Sequence, residues 1–580
     1  MTDYPRPQLR RAAWLNLNGL WNYSFDTTEW HHDMTWSGQI CVPFPPEAPL
    51  SGLHDESFHP VIWYQRQFQV PEDWQAKRVH LHFGAVDYCA RVWVNGQLVV
   101  THEGGHTPFW ADITDVLVSG EQTITVRAED DPHDLSQPRG KQDWQEQPHG
   151  IWYPRTTGIW QTVWLEPVSQ THLNRIRMTP HFSDHGHSIA CRFDVSELPT
   201  NGDGLSLDVK LSCNGETLAD DTLKLGKTSL ERTINLALNG FEEWHRVAWS
   251  PEQPNLIDVE LTLKQGAEVV DEVTSYTALR SIEAREGKFS LNRRPYFLRL
   301  ALDQGYWEES LLAAPSSDAL KKDVELAKAM GFNGVRKHQK IEDPRFLYWA
   351  DKLGLLVWEE MPSAYHFTPD SIGRLTKEWL EVIERDYNHP CVVTWVCFNE
   401  SWGVSDLAHS QAQQNFVAGL YHLTKALDPS RLVIGNDGWE HVESDLLTLH
   451  DYTRDVEVIA ARYGSVEASQ HTSFNVLLGH GRATVLATSP VTDEPIILSE
   501  FGGIRYSPTP EEAGWGYQEV SSPEQLLELY AAMVKAISTD LAGFCYTQLT
   551  DTFQEQNGLL YMDRSPKLPL ESLAKATRGK

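Results

Sequence analysis

The hydrophobic pattern of the 580-residue chain changes period near residue 280, and this switch limits the possible fold more than any other feature. Strand side chains alternate between two faces, whereas helical side chains return to one face about every 3.6 residues. Before the switch, Val79, Leu81 and Phe83 alternate with His80 and His82, and Ala90, Val92 and Val94 alternate with Arg91 and Trp93. This spacing predicts half-buried strands. Asn95-Gly96 lies between two such runs and suits the paired positive φ angles of a type I′ hairpin. A second set follows Pro167: Leu205, Leu207, Val209, Leu211 and Cys213 end at Asn214-Gly215, and Ile257, Val259, Leu261 and Leu263 run to Gly266. We therefore expect a β domain over 1–168 and an immunoglobulin-like sandwich over 169–279.

After the switch, Leu320, Val324 and Ala327 recur at helical spacing behind the cap candidates Ser316, Ser317 and Asp318, with Gly331 as a stop. A second helix enters at Pro344 and ends near Gly354, and Ser522-Pro523-Glu524-Gln525 carries capping-box spacing. Short strand candidates lie at 297–302, 334–336, 355–358, 392–398, 432–435, 446–449, 496–499 and 543–548. Eight strands separated by helical stretches predict a C-terminal (β/α)8 TIM barrel over 280–580. A doubly wound sheet is the alternative, but no glycine-rich dinucleotide turn follows any strand.

Composition narrows the partners. Lys plus Arg number 49 against 80 Asp plus Glu, and a net charge of −31 repels nucleic acid and anionic bilayers alike. The start, MTDYPRPQLRR, has no apolar core of signal-peptide length, and no run approaches a membrane span. Seven scattered cysteines without CxxC spacing fit a reducing compartment, so a cytoplasmic protein is expected. The 22 tryptophans suit sugar rings as well as cores.

In a barrel of this kind, polar residues at the C-terminal strand ends face the active-site mouth. The fourth strand runs into Asn399-Glu400 and the seventh ends at Ser499-Glu500, so two glutamates are expected at one mouth. A carboxylate pair there can cleave a glycosidic bond: one member protonates the leaving oxygen while the other attacks the anomeric carbon or activates water.

These residues, with HLHFGAVDYCARVWVNGQLVVTHEGGHTPFWADIT, RTTGIWQTVWLE, GFNGVRKHQ, LGLLVWEEMP, NHPCVVTWVCFNES and PIILSEFGG, resemble glycoside hydrolase family 2 over essentially the whole chain. The resemblance implies that the first domain is a sugar-binding-like jelly roll. It also implies a retaining mechanism, with Glu400 as general acid/base and Glu500 as nucleophile, their carboxyl groups about 5 to 5.5 Å apart. Arg336 and Tyr452 would hold Glu500, and Asn399 would bind the hydroxyl next to the anomeric carbon. His338, Asp303, Asp437, Trp439 and Trp402 are further candidates for substrate contacts.

The string His102-Glu103-Gly104-Gly105-His106 spells the HExxH of zinc proteases, but two glycines oppose the helix that motif needs. His80 and His82 share a strand face and read as ordinary exposed histidines. No metal and no cofactor are expected. The expected partner is a small glycoside or oligosaccharide, with homo-oligomers common in the family. Family membership leaves the sugar open. Glucuronidases of the family carry an Asn and Lys pair after the eighth strand, whereas TQLTDTFQEQNGLLYMDR has no lysine. A β-galactosidase-like exo-glycosidase is the first reading. An arabinofuranosidase or galactofuranosidase is the alternative, and a non-catalytic carbohydrate-binding protein is the alternative of another class.

Overall fold

The computed structural model describes residues 3–26, 34–183, 186–199, 204–238, 243–508 and 514–579. Two β-sandwiches precede a barrel. In the first, strands 15–16, 163–168, 78–83 and 109–112 form one sheet, and 38–42, 19–24, 61–68, 122–129, 89–94 and 97–103 form the other. Asn95 (φ 49°) and Gly96 (φ 80°) turn the hairpin between its last two strands, as the dipeptide requires. In the second sandwich, sheets 173–183, 186–195, 229–235 and 216–225, 205–213, 257–265, 268–277 enclose an aliphatic core. Strand 205–213 buries every odd residue from Leu205 to Cys213, which is the alternation read from the sequence.

One strand departs from that alternation. His80 and His82 were expected to be exposed, yet both are buried. The reason is a second covering layer: Trp110 stacks on His80 at 4.5 Å and Trp164 on His82 at 4.8 Å. Burial lowers the His80 pKa to about 4 and that of His82 far below its usual value, so both rings are neutral packing elements.

The barrel strands are β1 (Leu298–Asp303), β2 (Gly334–Lys337), β3 (Leu356–Glu360), β4 (Val392–Val396), β5 (Leu432–Ile434), β6 (Leu447–Asp451), β7 (Ile496–Gly502) and β8 (Gly543–Thr547). They pair in parallel in the order β5-β4-β3-β2-β1-β8-β7-β6. The seam between β5 and β6 is bridged near its base by Asp445, whose N–H donates to Val433 O (2.8 Å) and whose Oδ2 accepts from Val433 N (2.9 Å). Two helices lie where the sequence places them, α1 (Ser317–Ala329) behind Ser316 and α2 (Pro344–Leu353) with Gly354 in the left-handed region, and α3 (Pro369–Asp386) follows Thr368. Helix Pro523–Ala536 is capped by Ser522, but Gln525 returns to the N–H of Ser521 rather than Ser522, so the box closes one residue early.

Charged side chains join the domains. Arg11 makes a two-pronged contact with Asp271 (2.9 and 2.8 Å) and also reaches Glu166 (3.2 Å), locking sandwich to sandwich. Tyr276 of the second sandwich donates to Asp351 of α2 (2.8 Å). The HExxH string docks on α3: it is strand and loop, not helix, and the N–H of His106 donates to Glu378 (2.7 Å). His102 stacks on Phe109 and His106 sits edge-on to Trp160.

Burial pushes the Glu378 carboxyl up to about 8; the His106 N–H opposes the shift, and Asp87 and Glu381 add to it. A raised carboxyl pKa means the fold retains a proton that the unfolded chain has released above the ordinary value near 4.5. The stabilisation is complete below about pH 4.5 and is lost as pH rises to about 8, at up to about 1.4 kcal/mol per pH unit. Glu378→Gln is therefore expected to match the parent's melting temperature near pH 5 and to exceed it near pH 8. Equal pH slopes for the two proteins in scanning calorimetry would contradict this.

Candidate active site

The site is built around Arg336 on β2. Its side chain points into the barrel and is fully buried. Nε donates to Glu360 Oε2 of β3 (2.7 Å), Nη2 to Asn399 Oδ1 after β4 (2.7 Å), and Nη1 lies 2.8 Å from both Asp437 Oδ2 and Glu500 Oε1. One guanidinium thus ties five strand ends together. Its planar fork matches several oxygens at once, which an ammonium does not do.

Glu500 lies on β7, and its two oxygens have separate partners. Arg336 holds Oε1, and the Tyr452 hydroxyl donates to Oε2 at 2.6 Å. Tyr452 is braced from behind by Tyr517, stacked at 3.5 Å between ring centres. The glycines after Glu500 permit this approach: a Cβ on Gly503 (φ 65°) would fall 2.4 Å from the Tyr517 ring, and one on Gly502 (φ 88°) 2.3 Å from Tyr546.

Glu400 leaves β4 with φ 52°, followed by Ser401 with φ 58°. Left-handed backbone is uncommon for side-chain-bearing residues and persists where surrounding bonds impose it. Here the Glu400 N–H donates to Asp437 O (3.0 Å) and the Ser401 N–H to Asn436 Oδ1 (3.0 Å). The turn directs the Glu400 carboxylate to His450, whose Nδ1 is 2.8 Å from Oε1.

His450, near the end of β6, is a member of the cluster that sequence reasoning missed. Its Nε2 lies 2.9 Å from Asp437 Oδ2, and its Nδ1 is also 3.5 Å from Glu500 Oε2. Burial lowers its pKa, but the charges of Glu500 and Asp437 and the bonds to Asp437 and Glu400 raise it to about 10. The ring is an imidazolium at neutral pH. Burial raises the Glu400 pKa, yet the His450 bond and charge, with Lys141 and Arg336, hold it below the usual carboxylate value. Asp437, between Arg336 and His450, is driven far down despite complete burial. A strand-end rule extended one residue beyond Leu449 would have found His450.

The remaining candidates separate by what they touch. Asp303 is fully engaged: Lys337 Nζ donates to Oδ2 (2.9 Å) and the Gly305 N–H to Oδ1 (2.9 Å). His338 sits against Glu360 (Nδ1 to Oε1 2.8 Å), and burial, with Lys141 and Arg336 nearby, keeps it neutral. Trp439 packs edge-on to His450 at 5.6 Å. Trp402 belongs to an aromatic wall with Tyr365 (5.4 Å) and Trp152 (5.5 Å).

That wall comes partly from the first sandwich. Residues 130–157 leave it and cross the barrel mouth: Arg139 and Gly140 N–H groups donate to Ser363 O, Trp152 Nε1 donates to the Tyr365 hydroxyl (2.7 Å), and Tyr153 donates to Glu555 Oε2 (2.5 Å) in the loop after β8. Glu360, Glu555 and Lys141 were not nominated from sequence. Glu360 was visible in the quoted run VWEE, whereas nothing local marks the other two.

Among the described residues, two groups bring metal-type donors together. One is Glu400, His450 and Glu500 themselves. The other is Asp351, His389 and Cys391, where Asp351 already accepts from His389 (2.6 Å), Tyr276 (2.8 Å) and the Cys391 N–H (2.7 Å). Its oxygens are occupied by the protein's own donors.

Comparisons with known proteins agree with this architecture. Residues 49–131 match the sugar binding domain of glycosyl hydrolases family 2, residues 171–280 match glycosyl hydrolases family 2, and residues 282–506 match that family's TIM barrel domain. A β-galactosidase of Thermoanaerobacter pseudethanolicus is 27% identical over 80% of this chain and 59% of its own length. A putative β-glucuronidase of Formosa agariphila is 28% identical over 68% of this chain and 46% of its own. The chain thus spans about half the length of these relatives. A β-glucuronidase of Rattus norvegicus is 27% identical over 72% of this chain and 67% of its own. Among solved structures, a β-galacturonidase from Eisenbergiella tayi superimposes with a TM-score of 0.75 at 20% identity, covering 100% of this chain and 98% of that one. A β-D-glucuronidase of Dictyoglomus thermophilum gives 0.77 at 17% identity, covering 99% and 98%. With the three matched segments accounting for well over half its residues, the chain belongs to glycoside hydrolase family 2.

Proposed function

We propose that the protein is a retaining exo-glycosidase that removes a terminal sugar from glycosides or short oligosaccharides, with β-galactosides as the first expected substrates. The observation that carries this reading is the approach of the two carboxylates: an oxygen of Glu400 and one of Glu500 lie within 4.8 Å of each other, with His450 Nδ1 2.8 Å from Glu400 and 3.5 Å from Glu500. Retaining enzymes keep their carboxyl groups about 5 to 5.5 Å apart, whereas inverting enzymes need about 6.5 to 9.5 Å for the attacking water.

In this scheme Glu500, oriented by Arg336 and Tyr452, attacks the anomeric carbon and forms a glycosyl ester as the bond to the leaving oxygen breaks. Glu400 delivers the proton to that oxygen. The proton belongs to the Glu400–His450 pair, which share a 2.8 Å contact and titrate as a unit, and it leaves through Glu400. In the second step water gives a proton to Glu400 and its oxygen to the anomeric carbon, Glu500 is released, and the pair is reprotonated. Each cycle therefore consumes one water and returns every proton to its place. Asn399, held by Arg336, faces the hydroxyl beside the reacting carbon.

The relatives' names divide between β-galactosidase and β-glucuronidase, and none of those named here is a furanosidase. The furanosidase alternative gains no support.

Glu500→Ala is expected to lower hydrolysis of a 4-nitrophenyl glycoside by at least about 10⁴-fold. Proton NMR should show the β-anomer released first from a β-glycoside; the α-anomer first would exclude the covalent route. Full turnover by Glu500→Ala would remove it from the nucleophile's place, and sugar binding without hydrolysis of any aryl glycoside would favour a receptor.

His450→Asn tests the shared proton separately. A 4-nitrophenolate leaves with little help, so kcat/KM on that substrate should fall modestly, while that of a methyl glycoside falls by about 10² or more. A uniform loss on both would reduce His450 to a packing role.

A further inference from the structure

One buried cation at the mouth has no part in the chemistry above. Lys141 is 5% exposed, in the segment that crosses from the first sandwich. Its backbone is fixed twice: within the crossing segment Lys141 O accepts from the Tyr153 N–H (2.8 Å), and neighbouring Gly140 lies so close to the barrel that a Cβ there would fall 2.3 Å from Gln339 O. The ammonium lies 5.9 Å from the centre of the Tyr153 ring, whose hydroxyl bonds Glu555. Among the described residues, it makes no hydrogen bond, and no carboxylate oxygen comes within 4.0 Å. An ammonium on so little-exposed a side chain, with no acceptor from the described residues, is placed to take acceptors from a bound ligand.

The neighbouring cations are already occupied. Lys337 is bound by Asp303 (2.9 Å) and Glu342 (2.8 Å), Lys340 by Gly305 O (2.6 Å) and Leu312 O (2.8 Å), and Lys567, which follows β8, by Asp551 (2.7 Å) and Gln556 O (3.1 Å). Burial pulls the Lys141 pKa down, and the surrounding carboxylates Glu555, Glu500, Glu400 and Glu360 oppose that shift. Arg336 and His450, the other cations of the cluster, are committed to Glu360, Asp437, Glu400 and Glu500, which leaves Lys141 as the cation there with no carboxylate of its own among the described residues.

We propose that Lys141 of the first sandwich and Glu555 of the barrel form a clamp for hydroxyl groups of the terminal sugar, and that this clamp selects a neutral glycone over a uronic acid. The inference rests on the glycosidase reading for its site and deepens it by naming the substrate class. Glu555 already accepts from Tyr153 on Oε2 and from Asn557 on Oε1 (3.1 Å), but each carboxylate oxygen can accept more than one bond, so a hydroxyl that donates to Glu555 beside one that accepts from Lys141 engages both. A uronate only accepts. It would satisfy Lys141 but face Glu555 and the reacting carboxylates as a like charge, without a second free ammonium to offset them.

The test uses the full chain, Lys141→Met and Lys141→Arg, with 4-nitrophenyl β-galactopyranoside and 4-nitrophenyl β-galacturonide as substrates. Calorimetric binding of free galactose and galacturonate runs in parallel, and melting curves confirm folding. The parent should favour the neutral glycoside in kcat/KM by about tenfold or more, Lys141→Met should raise its KM and weaken galactose binding by about tenfold, and Lys141→Arg should recover part of both. Unchanged KM and galactose binding in Lys141→Met would overturn the clamp. Preference of the parent for the galacturonide, lost in Lys141→Met, would overturn the neutral-sugar choice. If galactose binds through Lys141 but no aryl glycoside is cleaved, the clamp stands and the glycosidase reading fails.

Discussion

A single guanidinium holds the working end of this barrel together. Arg336 is surrounded by three carboxylates and one amide oxygen, all within hydrogen-bonding distance and all delivered by different strands. Buried charges persist only when paired and fully hydrogen bonded, and removing one partner leaves the others uncompensated. Glu360 and Asp437 therefore help to make Arg336 tolerable in the core, and Arg336 in turn fixes Glu500 and Asn399 at the barrel mouth.

The second layer of organisation is the alternation of charge across the cleft. Asp437 lies between Arg336 and His450, and His450 lies between Asp437 and the two glutamates. Opposite charges alternate, so no two carboxylates face each other without a cation between them. This arrangement holds Glu400 and Glu500 close together despite their like charge. It also means that protonation of Glu400 is governed by its neighbour's proton as much as by its own burial. The left-handed backbone at Glu400 and Ser401 is the local strain that aims the carboxylate into this chain of charges.

The mouth is completed by a different domain. Residues 130–157 carry Lys141, Trp152 and Tyr153 from the first sandwich onto the ends of β3 and β8, and α3 receives the loop at 103–107 on the same side. The barrel supplies the cluster of carboxylates, guanidinium and imidazole, and the sandwich supplies Trp152 and Tyr153 of the wall. Low local dielectric strengthens every charge contact in such an enclosed cleft.

Much of the architecture could be read directly because hydrophobic period reports secondary structure without knowledge of partners. The eight barrel strands, both Asn-Gly hairpins, the helix entry at Pro344 and the caps at Ser316 and Ser522 follow from local pattern and turn chemistry. Glu400 and Glu500 were nominated because strand ends in a barrel converge, whatever the distance between them along the chain. What local pattern lacks is knowledge of a second covering layer or of long-range charge. His80 and His82 look exposed until Trp110 and Trp164 cover them. His450, Lys141 and Glu555 are ordinary polar residues until folding sets one between two glutamates and brings the other two to the ring and the hydroxyl of Tyr153. Periodicity and turn residues alone determined which segments became strands and helices and which acids faced one mouth. Protonation states, the partner of each charge and the closing of the cleft by another domain were decided only in three dimensions, because Coulombic and desolvation energies depend on distance through space and not on separation in sequence.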